Sequence, residues 1–156
     1  MNGISIRRVR PNDVPVIAAL LDQLARRYIT AEFTRSAEEK FLRSNDETSI
    51  RAFITSGFEY WVAERCDAII GFVGVRDHSH LYHLFVAECE QNRGVARALW
   101  QTAEGACRVA GNLGRFTVNS SNNAVGVYES FGFVRAGQPQ NSDGVLFNPM
   151  VLEDAG

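Results

Sequence analysis

The sequence predicts an α/β (α+β) fold, in which a mixed sheet carries helices on its faces. Apolar residues alternate in some segments, which predicts strands, and recur at helical spacing in others, which predicts helices. The predicted order is strand, helices, three strands, helix, strand, helix and hairpin. The chain has 156 residues, the size of one domain, so we expect a single domain over residues 1–156. Hydrophobic residues make up 46% of the chain, the usual share for a protein with a packed core.

The first third of the chain predicts one strand followed by helices. Apolar residues alternate over residues 4–9, and Pro11 ends that strand. Apolar residues then recur at helical spacing from Val16 to Tyr28, which predicts a first helix. Residues 34–56 are polar with scattered apolar positions, and we interpret them as two short helices.

The middle of the chain predicts three successive strands and the clearest helix. The strands are expected at residues 58–64, 68–75 and 80–86, and the second of them is apolar enough to be buried on both faces. An apolar stripe over residues 95–110 predicts the helix, which glycines end. A fifth strand is expected at residues 116–118.

The end of the chain predicts a short helix and a closing hairpin. Ser121 or Asn122 would cap the helix, and Gly132 would end it. Residues 133–134 and 145–152 are expected to form the hairpin. If residues 145–152 are an edge strand, they could pair between two chains, which makes a homodimer an expected possibility.

Composition excludes several classes of protein. Sixteen basic and 18 acidic side chains give a net charge of −2, whereas nucleic-acid-binding proteins usually carry a basic excess, so we expect no nucleic-acid partner. No apolar run approaches the ~18 residues of a membrane span, and the N-terminus lacks the apolar stretch of a secretory signal. Three cysteines without CxxC spacing fit neither a disulfide framework nor a zinc site, and they favour a reducing, cytoplasmic location.

A glycine-containing loop joins the fourth strand to the strongest helix. Five residues after Val86 the sequence reads Gln91-Asn92-Arg93-Gly94-Val95-Ala96-Arg97. Small residues let the backbone approach a ligand, the first amides of a helix attract anions, and the two arginines add donors suited to phosphate. A glycine in such a turn also occurs for geometry alone. The loop is neither a GxGxxG dinucleotide fingerprint nor a P-loop.

Two segments together resemble the GNAT N-acetyltransferases. The first is the Gln-x-x-Gly-x-Ala loop, which is similar to the acetyl-CoA loop of that family. The second runs from Val118 to Phe133 and contains Asn-Ser-Ser, Ala-Val, Tyr-Glu and Gly-Phe in the family's order. Both lie on the expected elements, and the strand and helix order over residues 4–152 also fits.

The resemblance implies a fold and a co-substrate. The fold would be a mixed, mostly antiparallel sheet of six to seven strands with about four helices, and strands four and five would splay apart to admit acetyl-CoA. No metal is expected. The implied contacts with acetyl-CoA are Leu84, Phe85, Val86, Gln91, Asn92, Arg93, Gly94, Val95, Ala96, Arg97, Asn119 and Asn122. For Asn122 an ordinary helix cap is an equal alternative.

The implied reaction is direct transfer of an acetyl group to a primary amine of a small molecule, an amino acid or a peptide. Tyr128 matches the family's general acid, because a phenol with a pKa near ~10 is protonated at pH 7 and can donate to the leaving thiolate. Its place on the apolar stripe of the last helix allows the alternative that it only packs in the core.

The general base is less defined by the sequence. His80 is the first candidate and His83 the second, since a histidine pKa lies near the working pH, and an ordered water wire could replace both. A solvated histidine at the start of a strand is an equal alternative for His80. Strict strand alternation would put His80 on the face of Leu84 and Val86, and His83 on the other. Only His78 and His80 would then share a face, which disfavours a metal site at the three histidines.

The acceptor side is expected from residues 24–56 and from the hairpin near residues 138–145. A second function remains open at this point, in which the domain binds acyl-CoA without catalysis, as a sensor or an assembly subunit. Retention of Tyr128 weighs against it.

Overall fold

The computed structural model describes residues 3–154; Met1, Asn2, Ala155 and Gly156 of the expected domain lie outside that range. Eight strands and five α-helices form the described part of the chain. The strands are β1 Ile4–Arg8, β2 Glu59–Arg65, β3 Ala68–Arg76, β4 His80–Val86, β5 Arg115–Ser120, β6 Val134–Arg135, β7 Gln140–Ser142 and β8 Val145–Glu153.

The helices lie between these strands and beside the sheet. They are α1 Val14–Tyr28, α2 Arg35–Ser44, α3 Glu47–Thr55, α4 Val95–Val109 and α5 Val125–Ser130. Short 3-10 segments occupy Pro11–Asp13, Thr30–Glu32, Glu88–Glu90 and Asn122–Ala124. Among the helices of residues 3–154, none has both the length and the apolar character that crossing a membrane requires.

The predicted mixed, mostly antiparallel sheet is confirmed. The strand order is β1-β2-β3-β4-β5-β8-β6, with β7 also paired to β8, and every pair is antiparallel except β4 with β5. The structure has one strand more than the six to seven expected, because the short β7 carries no alternating apolar residues to reveal it. It has five helices where about four were expected.

The last long strand is not at an edge, contrary to the expectation from the sequence. β5 pairs along one side of β8, while β6 and β7 pair along the other. β8 therefore lies inside the sheet, with described partner strands on both sides, rather than at an edge open to a second copy. The edge-strand argument for a homodimer is removed.

Two hydrophobic layers hold the sheet between helices. On one face, α1 and α3 pack with Tyr60, Val62 and Phe72 of the sheet. On the other face, α4 and α5 cover a larger cluster that includes Trp100, Phe116 and most of the inner strands. The two short helices predicted over residues 34–56 are present as α2 and α3.

The starts of α2 and α3 follow from their capping residues. The Thr34 hydroxyl accepts the amide of Ala37 at 3.2 Å, and an Asp46 carboxylate oxygen accepts the amide of Ser49 at 2.9 Å. Each cap satisfies an amide that has no partner within its helix. Asn45, the residue after α2, bonds to His83 of β4, which holds the end of α2 against the central part of the sheet.

Candidate active site

A cleft opens in the sheet where β4 and β5 stop pairing. The parallel ladder joins only His80 to Thr117 and Leu81 to Val118. β4 continues to Val86, and over this stretch no described strand pairs with the edge that faces β5. The expected splay of strands four and five is therefore present, and it leaves backbone groups of β4 facing an open space.

One cavity, here named the loop cavity, lies between the end of β4, the start of α4 and α5. It has a volume of about 310 Å³, within the usual range of small-molecule sites. Its lining includes most residues expected to contact acetyl-CoA: Leu84, Phe85, Val86, Gln91, Asn92, Gly94, Val95, Ala96 and Arg97. The remaining lining comes from α1, the residue after it, Glu90 and residues 121–131, which include Tyr128 of α5.

The loop presents free backbone amides to this cavity. Gly94 is left-handed, with a φ of +83°, and it is the residue before the first turn of α4. The helical ladder begins with the amide of Ala98 donating to the Gly94 carbonyl, so the three amides before it have no helical acceptor. This turn and the helix dipole favour an anionic group at that point.

Gln91 fastens the loop to the strand. Its side-chain Nε2 donates to the Val86 carbonyl at 2.9 Å. The glutamine therefore sets where the loop leaves β4. The position of the amides that follow depends on this bond.

Three of the expected acetyl-CoA contacts lie outside the loop cavity. Arg93 faces a shallow depression beside β1, and Asn119 lines the neighbouring cavity described below. Asn122 lines neither main cavity, because its Oδ1 accepts from Asn148 at 2.8 Å and its Nδ2 reaches Glu32 at 3.4 Å. The helix-cap alternative for Asn122 is wrong, since its side chain makes no cap bond, and its contact with acetyl-CoA stays a prediction.

A second cavity, here named the aromatic cavity, lies on the other side of the splay and has a volume of about 360 Å³. It shares Ile29, Leu84, Phe85, Ser121, Ala124 and Tyr128 with the loop cavity. The rest of its lining is Phe33, Lys40, Phe41, Ser44, Asn45, His80, Leu81, Tyr82, His83, Asn119, Val145, Leu146 and Phe147. Among these described residues there is no carboxylate.

His83 is a buried histidine whose two ring nitrogens are both engaged. Its Nδ1 lies 2.9 Å from the Tyr60 hydroxyl, and its Nε2 lies 2.8 Å from Asn45 Oδ1. Asn45 Nδ2 donates to the Phe41 carbonyl, which identifies Oδ1 as an acceptor, so Nε2 carries the ring proton. Burial lowers the pKa of His83 to about 3. His83 is therefore neutral, and its geometry suits positioning.

Gly74 allows the bond between Tyr60 and His83. It is the residue of β3 that pairs with Tyr60 on one side and with His83 on the other. A Cβ on Gly74 would lie 2.3 Å from the Tyr60 ring, so only glycine lets that ring cross β3. The Tyr60 ring packs over Gly74, which places the Tyr60 hydroxyl within hydrogen-bond distance of His83.

His80 is held differently. Its Nδ1 lies 2.7 Å from Thr117 Oγ1, across the last rungs that join β4 to β5. Its Nε2 has no hydrogen-bond partner among residues 3–154. Every fully buried side-chain nitrogen or oxygen in that range has a partner, so Nε2 is not fully buried and reaches open space. Burial, with a smaller effect of Arg76, lowers the pKa of His80 to about 4, below the near-neutral value expected from the sequence.

A bulge in β4 overturns the predicted alternation of its side chains. Gly74 pairs with His83 and Val75 with Leu81, so Tyr82 is an extra residue. Leu81, rather than His80, therefore joins Leu84 and Val86 in the core beneath α4. His80 and His83 both line the aromatic cavity, although strict alternation separates them.

Tyr128 belongs both to the core and to the cleft. Its ring packs edge-on against Phe131 and Phe133, and the residue is 7% exposed. Its hydroxyl has no hydrogen-bond partner within the described chain, yet it is not fully buried, so it reaches the wall between the two cavities. Burial raises the pKa of Tyr128, which keeps the phenol protonated at pH 7.

Sequence reasoning gave the segments of the aromatic cavity but missed its individual side chains. Lys40, Asn45 and Phe147 come from α2, the turn after it and β8, and no spacing relates them in the chain. The available signal was an asparagine at the end of a polar helix, which is usually only a cap or a turn residue.

A family model described as an acetyltransferase (GNAT) domain matches residues 29–154, well over half of the chain. Together with the splayed strands, this match defines the class of protein as an acetyltransferase. The chain belongs to the GNAT acetyltransferase family. No curated protein sequence matches it at a significant level.

Solved structures of low sequence identity share the fold. A GCN5-related N-acetyltransferase from Rhodopseudomonas palustris is 22% identical, with a TM-score of 0.80 over 98% of this chain and 97% of that one. The PaiA N-acetyltransferase from Thermoplasma acidophilum, in complex with coenzyme A, is 16% identical, with a TM-score of 0.76 over 97% and 99%. YncA from Salmonella typhimurium, with its cofactor acetyl-CoA, is 17% identical, with a TM-score of 0.70 over 98% and 95%.

Proposed function

We propose that this chain is one acetyltransferase domain that moves the acetyl group of acetyl-CoA directly to a primary amine of a small molecule, amino acid or peptide. The observation that carries the proposal is the meeting of two cavities at Tyr128, one lined by free amides and one by aromatic side chains. Its place of action would be the cytoplasm, which suits three cysteines that are all free.

Acetyl-CoA would occupy the loop cavity. The free edge of β4 offers backbone groups to the amide-containing arm of the molecule, and the amides before Ala98 suit its pyrophosphate. Arg97 borders the same space, where it stacks on Phe131 at 5.2 Å and donates to the Ser130 carbonyl. Two of the similar structures contain coenzyme A or acetyl-CoA, which supports this placement by analogy of fold.

Tyr128 would act as the general acid. Loss of the thiolate from the donor requires a proton or a hydrogen bond at sulfur, and a neutral phenol at the junction of the cavities can supply either. The free hydroxyl of Tyr128 at the junction of the two cavities supports this role over a purely packing role.

The acceptor amine must lose its own proton before it attacks. For a lysine-like amine this costs about 4.6 kcal/mol at pH 7, since its pKa lies near ~10.4. The aromatic cavity reduces that cost, because no carboxylate lines it and its apolar walls disfavour the charged amine. His80, neutral and with a free Nε2, would take the proton directly or through water.

His83 is proposed as a positioning residue. With Tyr60 and Asn45 occupying both nitrogens, it would hold the end of α2 against β4 and shape the wall of the aromatic cavity. We therefore favour His80 over His83 as the proton acceptor.

The test is acetyl-CoA binding by calorimetry, followed by thiol release in the presence of a panel of amines. We expect binding, and amine-dependent thiol release that matches acetylated product detected by mass spectrometry. Binding without turnover of any amine would instead favour the alternative of a non-catalytic acyl-CoA sensor or assembly domain.

A further inference from the structure

The aromatic cavity has an unusual charge composition for a site that receives an amine. Its described lining has no Asp or Glu, and its two histidines are neutral at pH 7 because burial lowers the pKa of each. The side chain of Lys40 is the one charged group there. A diamine or polyamine would bring a second positive charge with no carboxylate to receive it, which disfavours such acceptors.

Lys40 is also distinctive in the chain. It is the only lysine of the sequence, beside 15 arginines. Its ammonium takes part in none of the hydrogen bonds or ion pairs found among residues 3–154, so its charge is free for a ligand. Neighbouring Arg35 on the same helix, by contrast, is within 3.7 Å of Glu39.

The position of Lys40 sets the length of the ligand. Tyr128 lies on the wall that the two cavities share, whereas Lys40 lines only the aromatic cavity and is exposed. The reacting amine would lie at the shared wall, and the exposed side chain of Lys40 would meet the part of the ligand that lies away from that wall. Phe33, Phe41 and Phe147 belong to the remaining lining, which suits a ring-sized apolar body.

We propose that the acceptor is a primary amine on a ring-sized apolar body that carries a carboxylate at its far end, and that Lys40 selects this carboxylate. The proposal rests on the proposed function. In the transfer, a C–N bond forms between amine and acetyl carbonyl carbon, and the thioester C–S bond breaks. The amine proton leaves to His80 or water, and the thiolate takes a proton from Tyr128.

Three amines of one size test the proposal with the full-length protein and acetyl-CoA. 4-(Aminomethyl)benzoate has a negative far end, benzylamine an uncharged one, and 4-(aminomethyl)benzylamine a positive one. We expect kcat/KM to fall in that order, by about two- to fivefold per step, the range of a partly exposed ion pair.

Variants of Lys40 identify the source of this preference. Lys40→Gln should make the benzoate and benzylamine equal, Lys40→Glu should favour the diamine, and Lys40→Arg should keep the original order. Arg43→Gln on the same helix is the matched control, because Arg43 is exposed and does not line the cavity, and it should leave the order unchanged.

The outcomes separate the two proposals. Two outcomes overturn the selection by Lys40 and leave the proposed function standing. One is turnover that favours the diamine in the unmodified protein, and the other is an equal loss of turnover for all three amines in Lys40→Gln. Acetyl-CoA binding with no turnover of any of the three amines or of the wider panel overturns the proposed function, and this inference with it.

Discussion

The loop cavity and the aromatic cavity are built in different ways, although they share one wall. Half of the residues that line the loop cavity come from one segment, residues 84–97, and its specific groups are backbone amides and a strand edge. The aromatic cavity is formed by side chains from α2, β4, β5 and β8. A site built from backbone tolerates many side-chain changes, whereas each substitution in the other site alters what it accepts.

Acidification should act on the aromatic cavity first. The pKa values of His80 and His83, about 4 and about 3, lie below the ~6.5 of an unfolded histidine, so the unfolded chain binds more protons as pH falls below 6.5. We expect the free energy of unfolding to decrease by about 1.4 kcal/mol per pH unit for each histidine, or roughly 5 kcal/mol between pH 6.5 and 4.5.

Urea denaturation at a series of pH values measures this slope. His83→Gln should remove about half of it, because His83 is one of the two buried histidines. The hydrogen bonds from Arg7 lower the pKa of Asp13. Such carboxylates stabilise the protein above pH ~4 and lose that effect only at lower pH. An unchanged slope in His83→Gln contradicts the assigned cause.

Tyr128 joins the two cavities, and its hydroxyl can be removed without removing its ring. Tyr128→Phe should lower kcat by about a hundredfold, the lower end of the effect of a general acid. The Kd of acetyl-CoA should not change, because the hydroxyl makes no bond that holds the loop. Tyr82→Phe, in the aromatic cavity alone, is the control and should affect kcat little. Unaltered turnover in Tyr128→Phe would remove the acid role.

Two glycine substitutions should separate the cavities. Gly74→Ala places a Cβ against the Tyr60 ring and breaks the bond to His83, at a cost of about 1–3 kcal/mol in stability. It should raise the KM of the amine and spare the Kd of acetyl-CoA. Gly94→Ala forces a side chain into a left-handed position, which costs about 1–2 kcal/mol, and should weaken acetyl-CoA about tenfold without raising the amine KM.

The reference for both is Gly105→Ala. Gly105 lies inside α4 with nothing within 4 Å of an added Cβ, so alanine should stabilise the protein by about 0.5–1 kcal/mol and change neither constant. Thermal unfolding and the two binding constants, measured in parallel, check all three variants. If Gly74→Ala and Gly94→Ala shift the same constant, the two cavities are not independent.

The sequence predicted the loop cavity well because its determinants are contiguous. The end of β4, Gln91, Gly94 and the start of α4 follow one another within about twelve residues, and strand, turn and helix signals all apply there. The main strand and helix pattern was predictable for the same reason. β4 was placed at residues 80–86, where the structure has it.

The aromatic cavity was not predictable in the same detail. Its members meet only through tertiary packing, and the bulge at Tyr82 reverses the alternation on which the faces of His80 and His83 were assigned. The partners of His83 also come from distant places, 23 residues before it for Tyr60 and 38 for Asn45. No local pattern contains that information.

The short ladder between β4 and β5 also has a mechanical consequence. The gap divides the sheet into two parts, β1–β4 and β5–β8. The two parts are joined by two paired residues on each side. A force that separates the two parts would act mainly on the paired end of the gap, where His80 and Thr117 also bond through their side chains. His80, the proposed proton acceptor, therefore also helps to hold the two parts of the sheet together where the splay begins. A ligand that pairs with the free edge of β4 would add a further connection across the gap.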